Sequence, residues 1–250
     1  MCKLKSAIIL KNKIFMPDYD SHSKMLEELE ITDDYLGASK KFVRVELSPK
    51  NNDVFSDIDA WDLTVDQDIT PEWFSKEEYK PKMIEAVKEW AKTHIHIGID
   101  GLKISAGENH YIKDCKNVEI CGSASVKYIC GSASVKYICG SASVENICDS
   151  ATVKYICGSA SVENIYGSAS VENICDSASV ENIYDSASVE NIYGSASVEK
   201  VGGTSVICSS RYTKWKNSDS IILCDNATFK DNYGKVIYQS GDYKLVSVKS

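Results

Sequence analysis

The chain has 250 residues, 43% of them hydrophobic and 26% charged, with a formal net charge of -8. These proportions exclude a wholly disordered polymer, and the negative balance disfavours a general nucleic-acid binder. No apolar run approaches the ~18 residues of a membrane span, and the basic opening segment is too short in apolar residues for a signal peptide, so a cytoplasmic location is expected.

Residues 1–105 read as an α+β capping domain. Residues 7–10 and 13–16 are short strand candidates joined by Lys11-Asn12. Residues 21–31 place Met25, Leu26, Leu29 and Ile31 at helical spacing, with Asp20 just ahead. Residues 42–47 and 61–65 alternate as strands. The strongest helix spans 81–93, where Met83, Ile84, Val87 and Trp90 share a face and Pro81 fits the first turn.

The solenoid is expected over 106–201, entered through Asn117-Val118-Glu119-Ile120. From Cys121 to Val201 nine copies of a nine-residue unit run in register: CGSASVKYI, CGSASVKYI, CGSASVENI, CDSATVKYI, CGSASVENI, YGSASVENI, CDSASVENI, YDSASVENI and YGSASVEKV. A short fixed period points to a solenoid. Helix is excluded because each copy has Gly or Asp before Ser, β-branched residues and no helical apolar period. The fourth position is always Ala, the sixth always Val, and the ninth Ile except at Val201. The first position switches between Cys and Tyr, which a narrow packed core would not accept. Positions four, six and nine are therefore expected inside, and one, five, seven and eight outside. Gly or Asp at the second position suits a corner with φ > 0, and the following Ser is expected to form a hydroxyl ladder.

Ala, Val and Ile fill a coil made of two copies; three copies would leave too wide a lumen. The fold class expected is thus mainly β, a parallel β-solenoid with two nine-residue repeats per coil, about 22 Å long at ~4.8 Å per coil. The calcium-binding nonapeptide β-roll also uses two repeats per coil, but its Gly-Gly-x-Gly-x-Asp turns are absent here. Residues 202–250 read as a short C-terminal cap. The period is expected to slip at Gly203-Thr204-Ser205-Val206 and to return once, at Cys224-Asp225-Asn226-Ala227-Thr228. The repeat block is net acidic, whereas this last segment is net basic and holds Trp215 between Lys214 and Lys216.

Six of the ten cysteines occupy the first position of the repeat: Cys121, Cys130, Cys139, Cys148, Cys157 and Cys175. Alternate copies stack, so neighbours in a column are close enough for a disulfide. There is no CxxC pair and no zinc spacing, so free reduced thiols are expected. Among the histidines, His94-Ile95-His96 would put two imidazoles on one strand face. Joined by His22, Asp18 and Asp20, with Asp66 and Asp68 as further oxygen donors, they would suit zinc or a hydrolytic iron if the segments met. The bland reading is a solvated strand and turns. No phosphate-binding loop, nucleophile motif or HExxH is present. A non-enzymatic role without a cofactor is expected, with a metal hydrolase in the cap as the rival.

The seventh position runs Lys127, Lys136, Glu145, Lys154, Glu163, Glu172, Glu181, Glu190, Glu199. Its bland reading is solubility and protection of sheet edges; the sharper one is an acidic surface that imitates a nucleic-acid backbone and blocks a host enzyme. Stacked tyrosines, Tyr166 on Tyr184 and Tyr137 on Tyr155, would offer a sugar- or protein-binding surface, or simply support the sheet. The binding candidates are Glu163, Glu172, Glu181, Glu190, Glu199, Tyr166, Tyr184 and Trp215. A protein partner is expected, without direct nucleic-acid or membrane contact, and with self-association through a cap as a further option.

Several segments carry a resemblance. Lys5-Ser6-Ala7-Ile8-Ile9-Leu10, Pro17-Asp18-Tyr19-Asp20-Ser21-His22, Val65-Asp66-Gln67-Asp68-Ile69-Thr70-Pro71-Glu72-Trp73 and Glu85-Ala86-Val87-Lys88-Glu89-Trp90-Ala91-Lys92 are among them. His110-Tyr111-Ile112-Lys113-Asp114-Cys115 and Val236-Ile237-Tyr238-Gln239-Ser240-Gly241-Asp242-Tyr243 complete the set. Together they resemble a group of uncharacterised nonapeptide-repeat β-helix proteins of gut-type Firmicutes and their phages. The repeat of that group reads Asp/Gly-Asn-Ala-Thr-Val; here Ser replaces the Asn and most of the Thr, while Asp225-Asn226-Ala227-Thr228 keeps the usual form. The resemblance covers nearly the whole chain. It implies the architecture and a phage-linked origin, and no catalytic residue.

Overall fold

The computed structural model describes residues 5–32 and 41–208 and the strands at 220–223, 228–230, 236–238 and 244–247, with backbone alone from residue 208 onward. The chain divides into two compact units between Ile95 and His96. The boundary expected after residue 105 thus falls earlier, because residues 95–104 already contribute strands to the solenoid sheets.

The first unit is a four-stranded antiparallel sheet of β1 (Lys5–Leu10), β2 (Lys13–Phe15), β3 (Phe42–Ser48) and β4 (Asp62–Val65), in the order β2-β1-β3-β4. Helix α1 (His22–Glu28) starts where Ser21 Oγ accepts the Lys24 amide. Its Met25 and Leu26 bury Ile8 and Phe42. The alternate residues Ala7, Ile9, Val43, Val45 and Leu47 are buried too, so β1 and β3 are covered on both faces. Helix α2 (Lys76–His94) lies against β3 and β4. It begins before the expected residue 81, because Ser75 Oγ accepts the Glu78 amide at 3.3 Å and Glu77 and Glu78 complement the dipole of the first turn. Pro81 sits inside the helix rather than in its first turn. The missing N–H there leaves one helical hydrogen bond unmade.

The second unit is the solenoid, about 6 turns of roughly 18 residues. One sheet holds β6 (Lys103–Ile104), β8 (Val118–Ile120), β10 (Ser134–Ile138), β12 (Thr152–Ile156), β14 (Ser170–Ile174), β16 (Ser188–Ile192) and β18 (Val206–Cys208). The other holds β5 (Ile95–Ile97), β7 (His110–Lys113), β9 (Ser125–Cys130), β11 (Ser143–Ile147), β13 (Ser161–Ile165), β15 (Ser179–Ile183) and β17 (Ser197–Val201). Within the repeats the pairing is parallel and joins equivalent residues of alternate copies: Val144 with Val162, Val162 with Val180, Val180 with Val198. The fourth, sixth and ninth positions form one continuous apolar core. Each buried Val or Ile contributes about 1.5–3 kcal/mol, so the core is built by repetition of a small gain.

The corners use positive φ. Asp149, Asp176 and Asp185 adopt it at 58, 58 and 57°. Their carboxylates accept the amides of Gly131, Gly158 and Gly167, one coil below, at 2.9, 3.0 and 3.1 Å. That bond offsets the cost of a Cβ in the left-handed region. The expected serine ladder is carried by backbone instead: Ser159 N donates to Gly140 O at 2.8 Å and Ser177 N to Gly158 O at 2.9 Å. Hydroxyls join in at Ser132, on Asp114, and at Ser186, on Thr204.

The repeat does not slip after Val201. Val206 pairs with Ser188 and Ile207 with Val189, which puts Ser205 at the alanine position, fully buried with an unpartnered Oγ. Beyond it β19 (Ser220–Leu223) pairs in parallel with β17, and β20 (Thr228–Lys230) with β18. Strands β21 (Val236–Tyr238) and β22 (Lys244–Ser247) then pair antiparallel with β20 and β19, so each sheet ends on a reversed strand. Trp215 and the segment Cys224-Asp225-Asn226-Ala227 lie outside the described residues.

Candidate functional site

The seventh-position side chains stand on the outer faces of both sheets. Towards the first coils the charges are matched, Lys103 with Glu119 at 2.8 Å and Lys127 with Glu145 at 2.6 Å. Further along, Glu163 (β13), Glu181 (β15) and Glu199 (β17) stack on one face, with Glu172 (β14) and Glu190 (β16) on the other. Among the described residues none of these five has an ion-pair partner. Like charges opposed across neighbouring strands cost up to ~1 kcal/mol a pair. The solenoid therefore carries matched charge at one end and an unrelieved carboxylate ladder at the other.

Tyr166 and Tyr184 stack with ring centroids 5.1 Å apart and planes within 1°, and Tyr137 and Tyr155 at 5.6 Å and 12°. They confirm the expected columns, but the first position is not simply outside. Cys130, Cys148 and Cys175 are each only 6% exposed. At the eighth position Asn146 and Asn173 are likewise buried, whereas Tyr137 is 43% exposed. Two inward residues, Val at six and Ile at nine, are three steps apart, so strict alternation fails there and the eighth side chain lies along the coil. The asparagines use that placement to form ladders. Asn182 Nδ2 donates to Asn164 Oδ1 at 3.2 Å, Asn164 to Asn146 at 3.3 Å, and Asn191 to Asn173 at 3.4 Å.

Burial shifts the stacked thiols. Cys139 is pushed from its ordinary 9.0 to about 12, by burial first and then by its hydrogen bond with Cys121. Cys130 moves upward through its hydrogen bond with Cys148 and through burial, and burial also raises Cys157 and Cys175. Tyr193 rises to about 12 through its hydrogen bond with Cys175 and burial. These five groups are held in their neutral forms at neutral pH. Cys115, Cys121, Cys130, Cys139, Cys148, Cys157 and Cys175 are not joined in disulfides.

The expected histidine cluster is dispersed. His94 ends α2 and does not share a strand with His96; its Nδ1 lies 2.9 Å from Trp90 O and its Nε2 3.5 Å from Asp18. His96 meets His110 at 3.3 Å in the second unit. Asp20 accepts from Lys5 Nζ at 3.2 Å and from the Ser6 amide at 3.0 Å. Burial lowers the pKa of Lys5, opposed by Asp20. His22 is 3.1 Å from Asp66. Glu46, close to both, was not singled out in the sequence, where it reads as an ordinary polar residue of an alternating strand.

The second unit is thereby defined as a parallel β-solenoid with a two-repeat coil. Comparison with protein-family models, curated proteins and solved structures gives no match. Among the described residues no helix is long and apolar enough to cross a membrane.

Proposed function

We propose that the chain is a non-enzymatic β-solenoid scaffold whose carboxylate columns dock a basic surface of a protein partner, in a phage-linked or host-cell setting. The observation that carries this reading is the ladder of Glu163, Glu172, Glu181, Glu190 and Glu199, which has no ion-pair partner among the described residues. Parallel sheets hold these groups in fixed register, so little side-chain or backbone ordering is left for the binding step. A cationic partner would relieve the mutual repulsion that the free fold bears. The tyrosine stack Tyr166–Tyr184 lies beside the ladder as an apolar contact surface. The narrower form of the proposal makes the partner an enzyme of nucleic-acid metabolism, deceived by a negative column. The column's repeat of ~4.8 Å is longer than the ~3.4 Å phosphate spacing of one strand, so it would match such an enzyme's charge rather than its contact geometry.

Immobilised protein exposed to host lysate at low and high salt tests this reading, with a variant carrying Glu163→Gln, Glu172→Gln, Glu181→Gln and Glu190→Gln in parallel. Capture should weaken with salt and fail in the variant. Capture indifferent to both changes would abandon the acidic columns and leave shape or the tyrosines as the recognition surface.

A further inference from the structure

Three segments of the first unit converge on one spot. His22 opens α1, Glu46 lies in β3 and Asp66 directly follows β4. One ligand atom from each, a His22 ring nitrogen and two carboxylate oxygens, lie within 4.8 Å of one another. The imidazole is oriented from behind: its Nε2 is 3.1 Å from the Val45 carbonyl. An Nε2–H donated to that carbonyl turns the Nδ1 lone pair toward Asp66, 3.1 Å away, and a backbone carbonyl is a usual outer support of a metal-bound histidine.

The second observation is Glu46 itself. It is 7% exposed, and among the described residues no hydrogen bond or ion pair satisfies its carboxylate. A carboxylate on a largely buried side chain with no protein partner is disfavoured, and here a second carboxylate stands nearby. A proton shared between His22 and Asp66 would satisfy that pair and still leave Glu46 alone. The buried Lys5 of the same sheet is committed to Asp20 and to the Pro17 carbonyl at 2.6 Å. A cation among the three ligands answers all of these needs together.

We infer that His22 Nδ1, Glu46 and Asp66 bind a divalent first-row transition-metal ion. One imidazole and two carboxylates form a mixed nitrogen–oxygen set, which suits zinc, cobalt or manganese better than calcium or magnesium, whose sites are built from oxygen. A tetrahedral ion with bonds of ~2.1 Å needs ligands ~3.4 Å apart, so the three groups close by a small contraction. Asp66 is exposed, which opens the remaining coordination position to water. The ion would also tie α1, β3 and the segment after β4 to one point.

The test is a Co²⁺ titration of the full-length reduced protein, followed by absorption and by thermal melting. Cobalt is chosen because thiolate ligation declares itself in a sulfur-to-metal band, which separates this site from the cysteine columns. One equivalent should bind without that band and raise the melting temperature. Asp66→Asn, whose exposed side chain leaves the fold intact, and Glu46→Gln should each weaken binding by at least ~10-fold. Cys157→Ser with Cys175→Ser should leave it unchanged. Absence of saturable binding, binding unaltered in Asp66→Asn, or loss of binding in the cysteine variant would each overturn the assignment.

Discussion

Val162 and Tyr166 show how differently single positions of the repeat respond to change. Val162 is 2% exposed inside the continuous core, so Val162→Asp would bury a carboxylate among Ala, Val and Ile with nothing to pair it. We expect a loss of at least ~3 kcal/mol, seen as unfolding or aggregation in a urea melt. Tyr166→Cys should cost mainly the ring stack with Tyr184, about 0.5–1.5 kcal/mol. Equal damage from the two changes would invalidate the assignment of inward and outward positions. The thiols and phenols make a pH prediction. Cys139 and Tyr193 are both shifted up to about 12, so the folded chain holds protons that the unfolded chain gives up. Their contribution is complete below the unfolded pKa, near 9.0 for the thiol, and disappears as pH rises through the folded value. Stability measured by urea titration should therefore fall above pH ~9, and Cys139→Ser should flatten that fall. A curve level from neutrality through pH ~11 would contradict it.

At the scale of the strand, the informative element is the five-residue SVENI segment. Its inward pattern was readable because copies within one chain vary freely at the outside and not at Ala, Val and Ile. What resisted reading was the bend between Val and Ile, where a side chain lies along the coil rather than in or out. Thus Asn164, taken as solvent-facing, donates to Asn146 and accepts from Asn182. Asn164→Ala removes two amide bonds and strands a donor, for an expected loss of about 1–3 kcal/mol. Ser161→Ala on the exposed face of the same strand should stay within ~0.5 kcal/mol in chemical denaturation. Equivalent effects would mean that the ladder bears no load. The candidate metal site was hidden for another reason. His22 and Asp66 were noticed by residue type, but Glu46 joins them only because antiparallel pairing places β3 beside β4. No spacing along the chain encodes that convergence. Helix α2 was found by its apolar face, and its start was missed because Pro81 outweighed the Ser75–Glu78 capping pair.

In the solenoid as a whole, coils of two repeats each touch only their neighbours and display charge and aromatic columns on the outside. The stack of cysteines provides an internal ruler for that claim. Parallel register places residues 18 apart in sequence over one another, as in the hydrogen-bonded Asn146–Asn164 and Asn164–Asn182 pairs, and the cysteine columns follow the same register. Stacked strands are ~4.8 Å apart, within the Cα range a disulfide accepts. The decisive measurement is oxidation with diamide of variants that keep only two cysteines, the rest replaced by serine, scored by mass spectrometry of the intact chain. Cys139 with Cys157 should cross-link in the folded protein and not in urea. Cys139 with Cys148, one repeat apart, and Cys130 with Cys157, three repeats apart, should remain reduced. Preferential cross-linking of either of those two pairs would contradict the two-repeat coil, and with it every column on which the proposed binding surface depends.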